Sequence, residues 1–196
     1  TSIRQPAVAG SFYPGHSGQL SADVDGFLAA AEAELEAGAP VPKAIVAPHA
    51  GYVYSGATAA RAYVRLKPAA ATISRVILLG PCHRVALSGL ALSSAEAFST
   101  PLGSVPIDAE AARAIADLSQ VQVLDDTHAE EHSLEVQLPF LQAVLDDFKL
   151  LPLVVGEASS EAVAEVLDRL WGGPETLIVI SSDLSHFLDY DSARAL

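Results

Sequence analysis

The chain of 196 residues contains no methionine, not even at position 1, and a single cysteine, Cys82. One cysteine excludes an internal disulfide framework and fits a reducing, cytoplasmic setting. The missing methionine points to a processed or trimmed start. Basic residues are scarce: 11 Lys and Arg stand against 24 Asp and Glu, a formal charge of −13. A surface of that sign repels phosphate backbones and anionic headgroups, which argues against nucleic acid and membrane as main partners. No apolar run approaches the roughly 18 residues that span a bilayer, and the first residues lack a signal-like pattern. With 51% apolar and only 18% charged residues, the chain has material for one large core. No repeat, low-complexity tract or long linker divides it, so residues 1–196 read as a single domain.

Apolar runs and helical patterns alternate along the chain. Strands are expected at about 43–48, 75–80, 89–93, 121–124, 150–155 and 176–182, and helices at about 21–37, 57–66, 108–118, 130–147 and 159–170. Asp108 reads as one helix N-cap and Ser55 as another. Residues 1–18 form an irregular Gly- and Pro-rich arm, and 100–105 a turn into an edge strand. The last residues, from Asp189, look like the opening of a helix that the chain does not finish. This alternation predicts an α/β fold with a central, largely parallel or mixed sheet flanked by helices.

Three of the strand signatures end in a histidine. Ile45-Val46-Ala47-Pro48 leads to His49, Val76-Ile77-Leu78-Leu79-Gly80-Pro81-Cys82 to His83, and Leu177-Ile178-Val179-Ile180-Ser181-Ser182-Asp183 on to His186. In an open α/β sheet the crevice beyond the carboxyl ends of the strands is where ligands bind. Each histidine taken alone reads as an ordinary hydrogen-bonded strand-end residue; three in matched positions, with Asp183, read as a site. Two imidazoles and an anionic group with open positions left over suit non-haem iron(II) or catalytic zinc. A further histidine off the metal suits acid–base work, because it titrates near neutrality. Cys82 neighbours His83 but points to the opposite face in extended backbone, which makes it a buried structural thiol. Tyr52 and Tyr54 either line an aromatic rim of the pocket or cover the sheet end. Gly51 to Gly56, ahead of a helix, offers backbone N–H groups to an anion, although its spacing matches no phosphate-loop motif.

His128-Ala129-Glu130-Glu131-His132 fits H-x-x-E-H, the inverted zincin pattern, with Glu131 as base. That chemistry needs one long helix, and Pro139 would break it. The plainer reading is an acidic helix N-terminus favoured by the macrodipole.

Several blocks together resemble a known family: Pro48-His49-Ala50-Gly51-Tyr52-Val53-Tyr54-Ser55-Gly56, Gly80-Pro81-Cys82-His83, Thr100-Pro101-Leu102-Gly103, Glu131-His132-Ser133-Leu134-Glu135-Val136-Gln137-Leu138-Pro139-Phe140 and Ser181-Ser182-Asp183-Leu184-Ser185-His186-Phe187. They are similar to the Memo family, also called AmmeMemoRadiSam system protein B, and even the arm from Arg4 to Pro14 matches. The resemblance implies a fold like that of the class III extradiol, protocatechuate 4,5-dioxygenase-like enzymes, which open catechol rings with dioxygen on iron(II). It implies His49 and His83 as metal ligands and His186, with Asp183 beside it, as the acid–base group. Tyr52, Tyr54 and His132 are the candidate substrate contacts. Iron(II) is the expected metal, with zinc or copper as alternatives. The family's third ligand is a cysteine expected well beyond Phe187, so either the chain is truncated at its C-terminus, which the unfinished final helix favours, or this member lacks the third ligand.

Three functions follow as expectations. One is an iron(II) redox or dioxygenase-like enzyme acting on a small chelating substrate. Another is a non-catalytic module receiving a peptide in the same cleft, as a phosphotyrosine-peptide-binding member of the family implies, although no Arg cluster accompanies the cleft. The third is a metal-dependent hydrolase. The family's second name points to radical SAM and AMMECR-type proteins as functional associates.

Overall fold

The computed structural model describes residues 2–195. In chain order it contains β1 (Ile3–Arg4), α1 (Ser17–Ala33), β2 (Ala44–Ala47), α2 (Tyr52–Tyr63), β3 (Arg75–Pro81), β4 (Leu90–Leu92), β5 (Ala97–Thr100) and β6 (Gly103–Pro106). There follow α3 (Ala109–Ile115), β7 (Val121–Val123), α4 (Asp126–Ala129), α5 (Leu138–Val144), β8 (Lys149–Val155), α6 (Ser160–Leu170), β9 (Thr176–Ser181) and α7 (Tyr190–Arg194). Short 3₁₀ segments at Val64–Ala69 and Glu135–Gln137 extend α2 and lead into α5.

The main sheet has six strands in the order β2-β9-β3-β8-β4-β7. Every pair in it is parallel except β4 with β8, so the expected mixed α/β sheet is what forms. Its central strands are covered on both faces. In β3, Val76 and Leu78 belong to the core shared with α1, α2 and α5, whereas Ile77 and Leu79 belong to the core shared with α3 and α6. That two-sided burial is why β3, β8 and β9 read as unbroken apolar runs instead of alternating ones. Beside the main sheet, β5 and β6 form a hairpin that β1 joins in parallel. No helix among the described residues is long and apolar enough to cross a membrane.

Local chemistry explains where the elements begin. Asp108 caps α3 as expected, accepting from the backbone N–H of Ala111 at 3.0 Å. Ser159 does the same for α6. Ser55 is not a cap. Its hydroxyl donates back to the carbonyl of Ala50 from inside the helix, because α2 starts at Tyr52, whose N–H is satisfied by the carbonyl of Phe12 in the N-terminal arm. The long helix expected at 130–147 is also corrected. The chain turns at Glu130, and regular helix resumes only at Leu138. Glu131 takes the backbone N–H of Ser133 on its own side chain, which diverts a donor from the helical ladder. Pro139 sits in the first turn of α5, where a missing N–H costs nothing. The four leucines of the 130–147 pattern, 134, 138, 141 and 145, are nonetheless all buried.

Pairing register sets the ends of the strands. Ala47 of β2 lies opposite Ser181 of β9, and Leu79 of β3 opposite Ile180 of β9. The carboxyl ends of these three neighbouring strands therefore open onto one edge of the sheet.

Candidate metal centre

His49 leaves the end of β2 through Pro48. Its backbone N–H donates to Asp183 Oδ1 at 2.8 Å, so the loops after β2 and β9 are tied together at that point. The ring is only 2% exposed. Its Nδ1 lies 2.9 Å from Ser181 Oγ. Its Nε2 is buried, has no hydrogen-bond partner among the described residues, and lies 3.5 Å from Asp183 Oδ2. Burial, opposed by Asp183 and reinforced by His83 and His132, brings the His49 pKa down to about 4, so the ring is neutral at physiological pH.

His83, beyond β3, is held twice by one carboxylate. Glu131 Oε1 is 2.8 Å from the His83 Nδ1, and Glu131 Oε2 accepts the His83 backbone N–H at 2.7 Å. Burial alone would raise the Glu131 pKa, but hydrogen bonds from the His83 ring and from the backbone of Ser133 and His83 outweigh it and hold the carboxyl below its usual range. The His132 ring stacks on His83, with centroids 4.5 Å apart and planes 22° apart, and lies 5.5 Å from the His49 ring. Burial also lowers the His132 pKa.

Among the described residues two groups of potential ligands result, and His49 belongs to both. His49, His83 and His132 present ligand atoms within 4.8 Å of one another, and so do His49, Asp183 and His186. The half-exposed His186 places Nε2 3.7 Å from Asp183 Oδ2. A cavity of about 530 Å³ opens beside these groups. Its walls combine His49, His83, Asp183 and His186 with Leu79, Val155, Val163 and Ile180, and none of its lining residues is Lys or Arg.

A divalent ion fits these residues. A buried imidazole nitrogen with no partner is costly as it stands, and His49 Nε2 is such an atom, among other nitrogen and carboxylate donors. The structure thus brings His49, His83, His186 and Asp183 together. His132 joins His49 and His83 in the first of the two ligand groups.

Other expectations are placed differently. Tyr52 is buried, donates its hydroxyl to the carbonyl of Val136 at 2.6 Å and packs on Phe140 at 5.2 Å; it is a core residue, since helix α2 begins with it and turns it inward. Tyr54 is exposed and does not line the cavity. The glycines from 51 to 56 form no anion cradle. The N–H groups of Tyr52, Tyr54 and Ser55 are already bonded to carbonyls, and a side chain at Gly56 would meet the Phe27 ring at 2.5 Å. Cys82 lies in neither ligand group, and its thiol is 2.9 Å from the carbonyl of Val85. The inverted zincin reading fails, because α4 ends at Ala129, before His132. His128 is buried elsewhere, with Nε2 2.9 Å from the carbonyl of Ala91 and its ring edge-on to Phe98.

The motif reading missed the polar support around the histidines, namely Glu131, Ser181 and Gln137. Ser181 and Gln137 are almost fully buried and hydrogen-bonded to each other at 2.9 Å. The signal available was the density of polar residues within an otherwise apolar helical pattern at 131–137.

Known proteins resemble this chain over most of its length. A family model described as Memo-like protein matches residues 4–195. The chain is 41% identical over 197 residues to a MEMO1 family protein of Aquifex aeolicus, covering 98% of this chain and 70% of that protein. It is 35% identical over 195 residues to Protein MEMO1 of Xenopus tropicalis, covering 94% of this chain and 63% of the relative. A MEMO1 family protein of Archaeoglobus fulgidus is 36% identical over 200 residues, 99% of this chain and 72% of its own length. The chain therefore spans about two thirds of the length of its curated relatives, and its mixed α/β sheet is consistent with the relation to class III extradiol dioxygenases. From its strand-end histidines to its sequence blocks, this chain belongs to the Memo family.

Proposed function

We propose that this chain carries a non-haem metal site at the carboxyl ends of β2, β3 and β9, with iron(II) as its metal and a dioxygenase-like oxidation of a small chelating molecule as its reaction. The observation that carries the reading is His49 Nε2, buried and without a partner, with His83, His132 and Asp183 gathered around it. His49 and His83 are the proposed holders, with His132 in the same group. Iron(II) bound there supplies open positions for a chelating substrate and one-electron chemistry toward dioxygen; zinc and copper suit the same imidazoles.

The protein's own part is positioning and proton handling. Asp183 receives the His49 backbone N–H on one oxygen and faces the His49 and His186 rings with the other. His186 borders the cavity, where an imidazole paired with a carboxylate is placed to accept a hydroxyl proton from a bound substrate. Leu79, Val155, Val163 and Ile180 give the substrate's apolar body a dry surface. The absence of Lys and Arg from the lining favours uncharged molecules over phosphorylated or carboxylated ones, which also weighs against a phosphopeptide in this cleft.

The test is anaerobic iron(II) titration with metal analysis, on the wild type and on His49→Ala/His83→Ala. About one equivalent bound by the wild type and lost in the double variant is expected. No binding by the wild type, or equal binding by both, overturns the reading. Dioxygen uptake with uncharged chelating phenols then tests turnover.

A further inference from the structure

We propose that the segment 131–137, acting with Ser181, sets the protonation pattern of both metal-binding rings in advance, fixing His49 and His83 with hydrogen on Nδ1 and a bare Nε2. The inference rests on the metal reading above and adds positioning residues to it: Glu131, Gln137 and Ser181.

Hydrogen-bond bookkeeping leads there. Ser181 Oγ has one proton and two lone pairs. Its proton has an obligatory destination, the carbonyl of Ser133 at 2.6 Å. The amide of Gln137 is oriented independently, since its nitrogen lies 3.0 Å from the carbonyl of Pro48 and its oxygen accepts from Tyr63 Oη at 2.6 Å. The same nitrogen donates to Ser181 Oγ at 2.9 Å. The one lone pair that remains on Ser181 faces His49 Nδ1 at 2.9 Å, so that nitrogen must be the donor. The proton is therefore on Nδ1 and the buried, unpartnered Nε2 is a free lone pair. For His83 the argument is shorter. Glu131 is an acceptor toward the ring at 2.8 Å while also receiving the N–H of Ser133 at 2.9 Å, so His83 Nδ1 carries hydrogen as well.

Metal-bound histidines regularly donate their second ring nitrogen to a carboxylate or other acceptor, which fixes ring orientation and raises ligand basicity. Here both acceptors depend on one seven-residue segment. The segment is itself clamped from the N-terminal arm, where Arg4 donates to the carbonyl of Glu131 at 2.7 Å and pairs with Glu135. Glu131, read from sequence as a catalytic base or as part of an acidic helix N-terminus, is on this account a positioning residue.

The experiment is long-range ¹⁵N–¹H correlation of the histidine rings in the metal-free wild type, Ser181→Ala, Ser181→Thr and Glu131→Ala, with cobalt(II) titration of each. The expected wild-type spectrum has both rings in the Nδ1–H form. Ser181→Ala releases His49 alone into a mixture, Glu131→Ala releases His83 alone, and each weakens cobalt binding roughly 10- to 100-fold. Ser181→Thr, which keeps the hydroxyl, restores both the pattern and the affinity. A wild type with either ring in the Nε2–H form overturns the inference even if no variant folds, as does a pair of alanine variants with unchanged rings and affinity. A wild type that binds neither iron(II) nor cobalt(II) overturns the metal reading instead, whatever form its rings take.

Discussion

Arg4 and Glu135, 131 residues apart in sequence, form an ion pair in which the side chains are 7% and 0% exposed. Glu135 also accepts the backbone N–H groups of Ala7 and Val8, at 2.8 and 3.0 Å, and the Tyr13 hydroxyl at 2.6 Å. Burial, then the hydrogen bond and negative charge of Glu135, push the Tyr13 pKa well up. One carboxylate thus organises an arm that has little regular structure of its own.

Removing it leaves a buried guanidinium without its counter-charge, held only by the carbonyls of His128 and Glu131, and leaves two backbone donors without acceptors. Glu135→Ala is expected to cost about 3–5 kcal/mol and to open the arm to limited proteolysis. Urea denaturation and digestion followed by mass spectrometry measure the two effects; a loss below about 1 kcal/mol would contradict the network's importance.

Gly80 closes β3 directly against the 131–137 segment. A methyl group there would lie 2.8 Å from both Leu134 Cδ2 and Ser133 Oγ. Ser133 Oγ donates to the Pro81 carbonyl at 2.9 Å, so it cannot yield without breaking that bond. Gly80→Ala is expected to destabilise by about 1–3 kcal/mol through overpacking. It should also weaken iron(II) binding by displacing Glu131. Thermal denaturation of the metal-free protein beside metal titration separates the two; unchanged values in both would refute the prediction.

His128 gives a pH signature. Burial brings its pKa down to about 4 from the 6.5 of a free imidazole. At pH between those values the unfolded chain binds the proton and the native protein does not, so stability rises with pH across that window. It is fully present above about pH 6.5 and is lost as pH falls toward 4, by about 3 kcal/mol for a shift of this size. His49, with a similar depression, adds to the slope. In His128→Gln, which can still donate to the Ala91 carbonyl, the urea midpoint should fall less between pH 7 and 4.5 than in the wild type. Parallel curves would show that His128 titrates normally.

His132, stacked on His83 with centroids 4.5 Å apart, is proposed as a metal ligand, and its removal tests that role against substrate contact. His132→Ala is expected to weaken iron(II) binding at least about tenfold, as isothermal titration under anaerobic conditions would read. Unchanged metal affinity, with loss only of ligand binding in the cavity, would return His132 to the role of substrate contact.

The strands of the main sheet were legible in the sequence because strands covered on both faces are continuous apolar runs, and such runs need no knowledge of their neighbours. Val76 to Leu79, Leu150 to Val154 and Leu177 to Val179 are examples, and every residue in them is buried. The site's location was legible for a related reason: His49, His83 and Asp183 stand just past strand ends, and a parallel sheet collects those ends on one edge. What sequence periodicity could not supply was the fate of individual polar groups inside the helical pattern at 130–147. Glu131 and Glu135 look like solvated charges locally; only the tertiary structure sets His83 48 residues from Glu131, and Arg4 131 residues from Glu135, close enough to bury them. Tyr52 turned inward for the same kind of reason, since the carbonyl of Phe12 starts helix α2 there. Apolar burial is proportional to area and leaves its mark in local pattern. A buried carboxylate is tolerated only where specific donors meet it, and those donors come from distant parts of the chain.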